Sequence, residues 1–438
     1  MMRVAVVGGG ISGIASAFYL MQRNIAVDLY ESEDRIGGRI GSEQLHGRWL
    51  DFGGKNIGKN YVLFRDFVKK CRDLDYEYFG FNTSQLIGGK VVRISKEGAK
   101  LFNTLRFIGL CGFDGILKLY PHVRAIIKDH RQGVLNSDYF NNIAEHHDDV
   151  SLAGYLKEPC LSQIIRPVTV RMNGAEPDEC YPGNFGSNLA LVIDSYEQLK
   201  HGMHGMLDAF QAMTKAPSLN ILTGHKVTSL SRDQVTGSIS IGYTHGDVQE
   251  TAIYDRVISA LPAIQLSVIV DNILPDASAL LRQIKYYPIA VAIVKYRRNV
   301  FMKTHRAMVF DQSFSLSNAG AYGINDLDLV RYTFSGRTSR TEISENSDPE
   351  DVISLGEKIA AQYFNIKDNT REAFAYRYIS EGLCAYSPKH YRLLGNIDKK
   401  LEPLTGFIAT GDYRRGASIE ACFRAAGECV DKLFGDLN

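Results

Sequence analysis

The chain has 438 residues, 45% apolar and 23% charged, an ordinary globular composition that excludes a disordered or fibrous protein and suggests two or three domains. With 50 Lys and Arg against 49 Asp and Glu, the formal net charge is +1, without the basic excess of a nucleic-acid binder. Its 7 cysteines form no C-x-x-C pair and read as reduced thiols; with no apolar run near the roughly 20 residues of a membrane span and no secretory leader, the expected location is cytoplasmic.

From the N-terminus, the apolar run Arg3–Val7 reads as a strand. It meets Gly8-Gly9-Gly10-Ile11-Ser12-Gly13, then a helical pattern with Ile14, Ala17, Phe18 and Met21 on one face. A second strand, Ala26–Tyr30, ends at Glu31. This is one β-α-β unit within about 30 residues. Residues 60–74 read as an amphipathic helix and 84–94 as two short strands. Residues 102–127 are rich in Leu, Phe, Ile and Tyr, and their glycines and Pro121 are expected to break them into pieces. Helical periodicity returns over 160–172 and 188–214. Strands follow at 221–223, 226–231, 238–243 and 256–260, separated by turn signals such as Thr236-Gly237 and His245-Gly246-Asp247. A long strand is expected at 287–296, a helix at 354–364, a strand at 406–410 and a closing helix at 420–434. The polar stretch 335–350 reads as a surface loop.

The glycine-rich turn has the full context of a dinucleotide fingerprint. Gly8 permits the tight turn, Gly10 lets backbone approach a pyrophosphate, and Gly13 lets the helix pack on the strand. The helix start, with Ser12 in its first turn, offers amides and a positive dipole to phosphate. Glu31 is placed to accept from ribose hydroxyls and disfavours a 2′-phosphate. A glycine-rich turn that binds nothing is the competing reading, and the complete pattern disfavours it. Just beyond Glu31, Arg35-Ile36-Gly37-Gly38-Arg39 sets two guanidinium groups beside close-approach backbone. That suits a dinucleotide whose pyrophosphate reaches past the first turn.

Four blocks resemble the flavin-containing amine oxidase, protoporphyrinogen oxidase and phytoene desaturase superfamily. They are residues 6–42, the segment Asp51-Phe52-Gly53-Gly54-Lys55-Asn56, the pair 225–230 and 255–263, and residues 407–427. The resemblance implies a noncovalent FAD. Gly54 and its neighbours would pass the isoalloxazine ring, and Val227 would touch adenine through its backbone. Asp412 would lie near the ribityl–pyrophosphate region, and Ser418 and Ile419 near the pyrimidine edge. It also implies an α/β fold: a Rossmann-like, glutathione-reductase-like FAD-binding domain (1–75, 200–265 and 385–438) interleaved with a mixed α+β substrate domain (76–199 and 266–384). No second G-x-G-x-x-G is present, so no nicotinamide domain is expected.

Few side chains need be catalytic, because a flavin carries the electron chemistry. Lys55 and Asn56 are the candidates by position: a cation near N1/C2=O would stabilise a reduced flavin, although a Lys55 pointing to solvent is weighed equally. Many amine oxidases of the family carry a lysine on a substrate-domain strand; that position aligns with Val291, while Lys295 lies about 13 Å further along. An aromatic cage would need aromatic residues near 385–386 and at 418, where Tyr386 is available and Ser418 is not aromatic. Cys384 sits where some members attach flavin, but a buried free thiol is favoured. Arg166 and Arg171 can meet a substrate carboxylate, and structural roles are favoured over that. The histidines lack partners at metal spacing, so no metal is expected. The stretch 102–120, with Lys100, Arg106 and Lys118, reads as a core helix pair in preference to a membrane lip or substrate tunnel.

The expected function is two-electron oxidation or desaturation of a bulky, largely apolar or cyclic small molecule, with electrons passed to oxygen or another acceptor. A flavin-dependent isomerase or cyclase without net redox, an amine oxidase and a non-catalytic dinucleotide scaffold are the alternatives.

Overall fold

Strand Arg3–Val7 is buried on both sides and forms the centre of a five-stranded parallel sheet. The order across it is Leu219–Leu222, Ala26–Tyr30, Arg3–Val7, Arg256–Ser259, Phe407–Ala409. The computed structural model describes residues 2–78, 82–95, 100–132, 138–213, 218–233, 235–364, 366 and 371–435. Val4 and Val6 face one apolar cluster, shared with Ile14, Phe18, Phe67 and Phe423. Ala5 and Val7 face another, shared with Leu266, Tyr386 and Tyr413. A strand buried on both faces needs such an unbroken apolar run. Helix Ile11–Gln22 lies against the closing helix Ile419–Phe434, where Tyr19 meets Phe423 edge-on at 6.2 Å. Beside this sheet, His225–Arg232, Ile239–His245 and Val248–Tyr254 form an antiparallel meander.

A seven-stranded sheet makes the second layer. Its order is Arg371–Cys384, Tyr286–Tyr296, Leu329–Phe334, Leu316–Ala321, Ala307–Val309, Asn82–Ile87, Lys90–Ser95. Strand Tyr286–Tyr296 alternates with period two. Ala290, Ala292 and Val294 pack with Val352 and Ile353 of helix Pro349–Ala360. Ile289, Val291 and Ile293 pack on Leu50 and Phe52. The strand therefore joins its own helical layer to the segment after hairpin Ser42–Leu45/Arg48–Asp51.

Several expectations differ from the structure. The stretch 102–127 is broken once, as a glycine was expected to break it: Gly112, at φ 68° and ψ 166°, kinks Lys100–Arg131 into two helices, whereas Pro121 does not interrupt the second. Pro121 removes an amide on the exposed side of that helix, where solvent serves the freed carbonyl. Residues 188–214 are interrupted by strand Tyr196–Leu199, which pairs with Ile57–Gly58 and Tyr76–Tyr78. The polar stretch 335–350 contains helix Arg337–Glu342 and the start of Pro349–Ala360. Asp348 caps the latter by accepting from the Glu350 amide, a cap-plus-proline start that moves the helix five residues upstream of the expected one. All 7 cysteines are free thiols. No described helix is long and apolar enough to cross a membrane, and no described cluster of His, Cys, Asp or Glu is fit to hold a metal ion.

Candidate active site

The fingerprint glycines lie where the parallel sheet ends and helix Ile11–Gln22 begins. Gly13 is forced by packing: a Cβ there would sit 1.8 Å from the Gly8 carbonyl oxygen. Gly8 adopts φ +104° and turns the chain over Ala260. Gly10 is different. Its φ of −72° suits any residue, and a Cβ there would meet no atom within 4 Å. The space beside Gly10 is thus open, next to a helix start whose Gly10 cap offers no side chain. Free amides facing open space make an anion site. Ser12 is buried in the first turn.

Glu31 is 8% exposed, and its carboxylate accepts from the Gly9 amide at 2.8 Å and the Glu33 amide at 3.0 Å. It therefore braces the glycine turn. Its backbone also receives strand His225–Arg232: the His225 amide donates to the Glu31 carbonyl at 2.8 Å. Val227 follows on that strand, and the ladder slips between Val227 and Ser229. Such a slip leaves backbone groups outside the ladder.

Gly37 and Gly38 bring the next loop against the first, with the Gly37 amide on the Gly9 carbonyl at 2.8 Å and a Gly38 Cβ position 3.4 Å from Gly10 Cα. Arg39 then reaches across the molecule. Its Nη1 donates to Asp412 at 2.8 Å and to the Gly382 carbonyl at 3.1 Å. Asp412 also accepts from the Tyr286 hydroxyl at 3.0 Å.

Gly54 is exposed, although Phe52 before it and Lys55 after it are buried. Its Cβ position would lie 3.8 Å from the Ile419 side chain. Gly54 and Ile419 therefore flank one gap. Ser418 caps helix Ile419–Phe434 by accepting from the Ala421 amide at 3.1 Å. Glu420 accepts from the Leu63 and Phe64 amides and so tethers helix Val62–Cys71 to the same place. Asn56 Oδ1 is buried without a hydrogen-bond partner, a costly state unless a ligand donates to it.

Lys55 turns away from Gly54. Its Nζ donates to Gln198 Oε1 at 2.8 Å and to the Tyr322 carbonyl, and lies 4.6 Å from the Tyr322 ring centre. Burial, then the nearby Arg331 charge, lower its pKa to about 7. The loop carbonyl of Phe52 is held by Arg331 Nη2 at 2.6 Å. Arg377 lies over the Phe52 ring at 5.1 Å and pairs with Glu43. Arg331 and Arg377 were not anticipated; the signal was an arginine on an inward-facing position of an alternating strand.

The other expected residues separate clearly. Val291 is buried in the apolar cluster against Phe52, and Lys295 pairs with Asp328 at 2.6 Å. Tyr386 is 2% exposed, with its hydroxyl on the Asp412 carbonyl at 2.6 Å. It is a core residue and does not supply half a cage. Cys384 is fully buried, and burial pushes its thiol pKa up. Arg166 forms a buried two-point pair with Glu176, at 2.7 and 3.0 Å. Arg171 donates through Nε to Pro167 and has no acidic partner among the described residues; burial lowers its pKa. The side chains of Lys100 and Arg106 lie outside the described residues, and Lys118 donates to the Tyr155 carbonyl at 2.8 Å.

An open cradle at Gly10, a glycine lip at Gly54 and an unpaired acceptor at Asn56 fit a long dinucleotide with a planar head group. The family model described as flavin containing amine oxidoreductase matches residues 11–433. A coproporphyrinogen III oxidase of Staphylococcus aureus is 23% identical over 297 residues, covering 59% of this chain, and the chain spans only 60% of that relative. One from Mycobacterium bovis is 23% identical over 491 aligned residues, covering 99% of this chain and 97% of the relative. Cyclohexylamine oxidase from Brevibacterium oxydans superposes with a TM-score of 0.74 at 15% identity, covering 100% of this chain and 99% of its own; at that identity the likeness speaks to fold.

Proposed function

The chain belongs to the flavin containing amine oxidoreductases, and from that premise we propose that it removes two electrons from a bulky, largely apolar or cyclic small molecule and passes them to oxygen or another acceptor. It is an FAD-dependent oxidoreductase. Bound FAD supplies the two-electron acceptor; the protein supplies position and polarity. Residues Gly8, Gly10, Ser12, Gly13, Glu31, Gly38, Arg39, Val227 and Asp412 would hold its nucleotide half. Gly54, Asn56, Ser418 and Ile419 would line its ring.

The observation that carries the substrate reading is the wall formed by Ile289, Val291 and Ile293 against Phe52. At the position where many amine oxidases place a lysine it carries Val291, with Arg377 and Arg331 standing opposite Val291 and Ile293 on the neighbouring strands and holding Phe52. With Ala385 and Tyr386 both buried in the core and Ser418 serving as a helix cap, neither cage position offers an aromatic ring. Orientation of a substrate C–H over the acceptor then lowers the barrier.

Lys55 would act on this site through the loop it anchors. Its ammonium, when charged, also adds a positive field beside Gly54. The test is anaerobic bleaching of the flavin band across a substrate panel. Bulky apolar or cyclic C–H donors should bleach it, whereas small primary amines should leave it oxidised. Rapid bleaching by a small primary amine would overturn the reading, and turnover without any bleaching would point to an isomerase.

A further inference from the structure

Helix Lys100–Arg131 carries two stripes of opposite character. Cys111, Gly115, Leu119, His122, Ile126 and Asp129 are buried. Phe113, Leu117, Tyr120, Arg124, Ile127 and Arg131 recur at spacings of four and three on the opposite side, and all are exposed. The apolar members are unusually bare: Phe113 is 79% exposed, Tyr120 63% and Leu117 58%. A single exposed apolar residue needs no explanation, but an aligned row of large ones marks an interaction surface. Three of them occupy one end of the stripe. Arg124, Arg131 and the adjoining Lys128 occupy the other, all exposed and without a carboxylate partner among the described residues.

We propose that this stripe docks the protein on an anionic membrane surface, with Phe113, Leu117 and Tyr120 inserted among the lipid chains and Arg124, Lys128 and Arg131 at the phosphates.

Charge complementarity selects this occupant. Residues 108–131 hold four cations (Lys118, Arg124, Lys128, Arg131) against Asp114 and the buried Asp129, in a chain whose net charge is only +1. A partner protein would have to bring acidic groups to three cations strung along two turns; a layer of anionic headgroups presents them everywhere. The axial order of the stripe implies a tilted helix, its apolar end deeper and its basic end at headgroup level. From Phe113 to Arg131 the stripe runs about 27 Å at 1.5 Å per residue, enough to contact several headgroups. Gly112, at φ 68° and ψ 166°, breaks the helix just before Phe113, so the docking segment starts at a bend. This is peripheral binding and needs no spanning helix.

The flavin-loaded protein is tested by flotation with vesicles of phosphatidylcholine alone or mixed with phosphatidylglycerol. It should float with the mixed vesicles, weakly with the neutral ones, and less as salt rises. A triple variant, F113S/L117S/Y120S, should lose flotation while keeping its flavin spectrum and melting temperature. The double variant R124Q/K128Q should cut partitioning to anionic vesicles by roughly thirtyfold, at about 1 kcal/mol per cation. No flotation on either vesicle would overturn the proposal. So would a concentration-dependent dimer that the triple variant dissolves in the absence of lipid, which would assign the stripe to a second copy. Neither outcome depends on which substrate bleaches the flavin.

Discussion

The two walls of the candidate site are shaped by different means. On the nucleotide side the backbone makes the shape, with Gly8 and Gly13 packed where a Cβ would meet backbone at 3.2 and 1.8 Å. On the opposite side large side chains make it: Phe52 under Ile289, Val291 and Ile293, with Arg331 and Arg377 holding the loop from the sheet. Backbone shape tolerates almost no substitution, because nothing can move aside. Side-chain shape can be exchanged, which is how one fold comes to accept different molecules on one wall while keeping one cofactor on the other.

Two glycines three residues apart give the largest expected contrast. Gly13→Val places carbon inside the Gly8 carbonyl and should abolish soluble folded protein. Gly10→Val meets open space in this structure and should fold with a normal melting temperature, yet purify colourless because the pyrophosphate position is filled. A yellow Gly10→Val protein would break the distinction. Next come the paired arginines of helix Arg166–Asn173. Arg166→Met leaves Glu176 buried without its partner and should cost about 3–5 kcal/mol in denaturant unfolding. Arg171→Met abandons no acid and should leave stability unchanged or raised. Equal losses would mean that Arg171 has a structural role as well.

Glu31→Ala removes acceptors from two backbone amides and should weaken FAD binding by about 1.5–3 kcal/mol, read by flavin titration of the apoprotein; Glu31→Gln should recover much of it. The last expected effect is a pH slope, at Lys55. Its unfolded pKa is near 10.5 and its folded pKa about 7. Between those values the unfolded chain binds the extra proton, so stability rises as pH increases through the window. Below about pH 7 the buried ammonium is charged in both states and its penalty is fully present. Lys55→Met should flatten the slope of unfolding free energy against pH between 7 and 10. An unchanged slope would mean that Lys55 keeps its charge when buried.

The β-α-β start was legible because each signal is local: an apolar run, glycines at fixed spacing and a helical stripe within Arg3–Tyr30. The seven-stranded sheet was much less so. Its long edge strand Arg371–Cys384 puts Phe374, Tyr376 and Tyr378 on one face and Ala375, Arg377 and Ile379 on the other. Both faces are only partly buried, so the alternation sets aromatic against small or charged residues and not apolar against polar. Lys55 shows a second limit. Its place beside Gly54 is given by sequence, but its direction is fixed by Gln198 and Tyr322, residues 143 and 267 positions away. Tyr386 is the same case in reverse, an aromatic at a suitable number whose ring the core claims through Asp412.

The bond from Arg39 to Asp412 spans 373 positions of the chain, and the sheet beneath it adds its edge strand only at Phe407–Ala409. On a ribosome, the glycine turn emerges long before Asp412, the residue that closes the loop opposite it. Contacts so distant in sequence form slowly. The nascent fingerprint must therefore wait, its first strand flanked by Ala26–Tyr30 but missing the Arg256–Ser259 neighbour until more than half the chain is made. Cofactor capture is thus a late event in biogenesis, and any truncation that stops before Phe407 should yield a chain that never turns yellow.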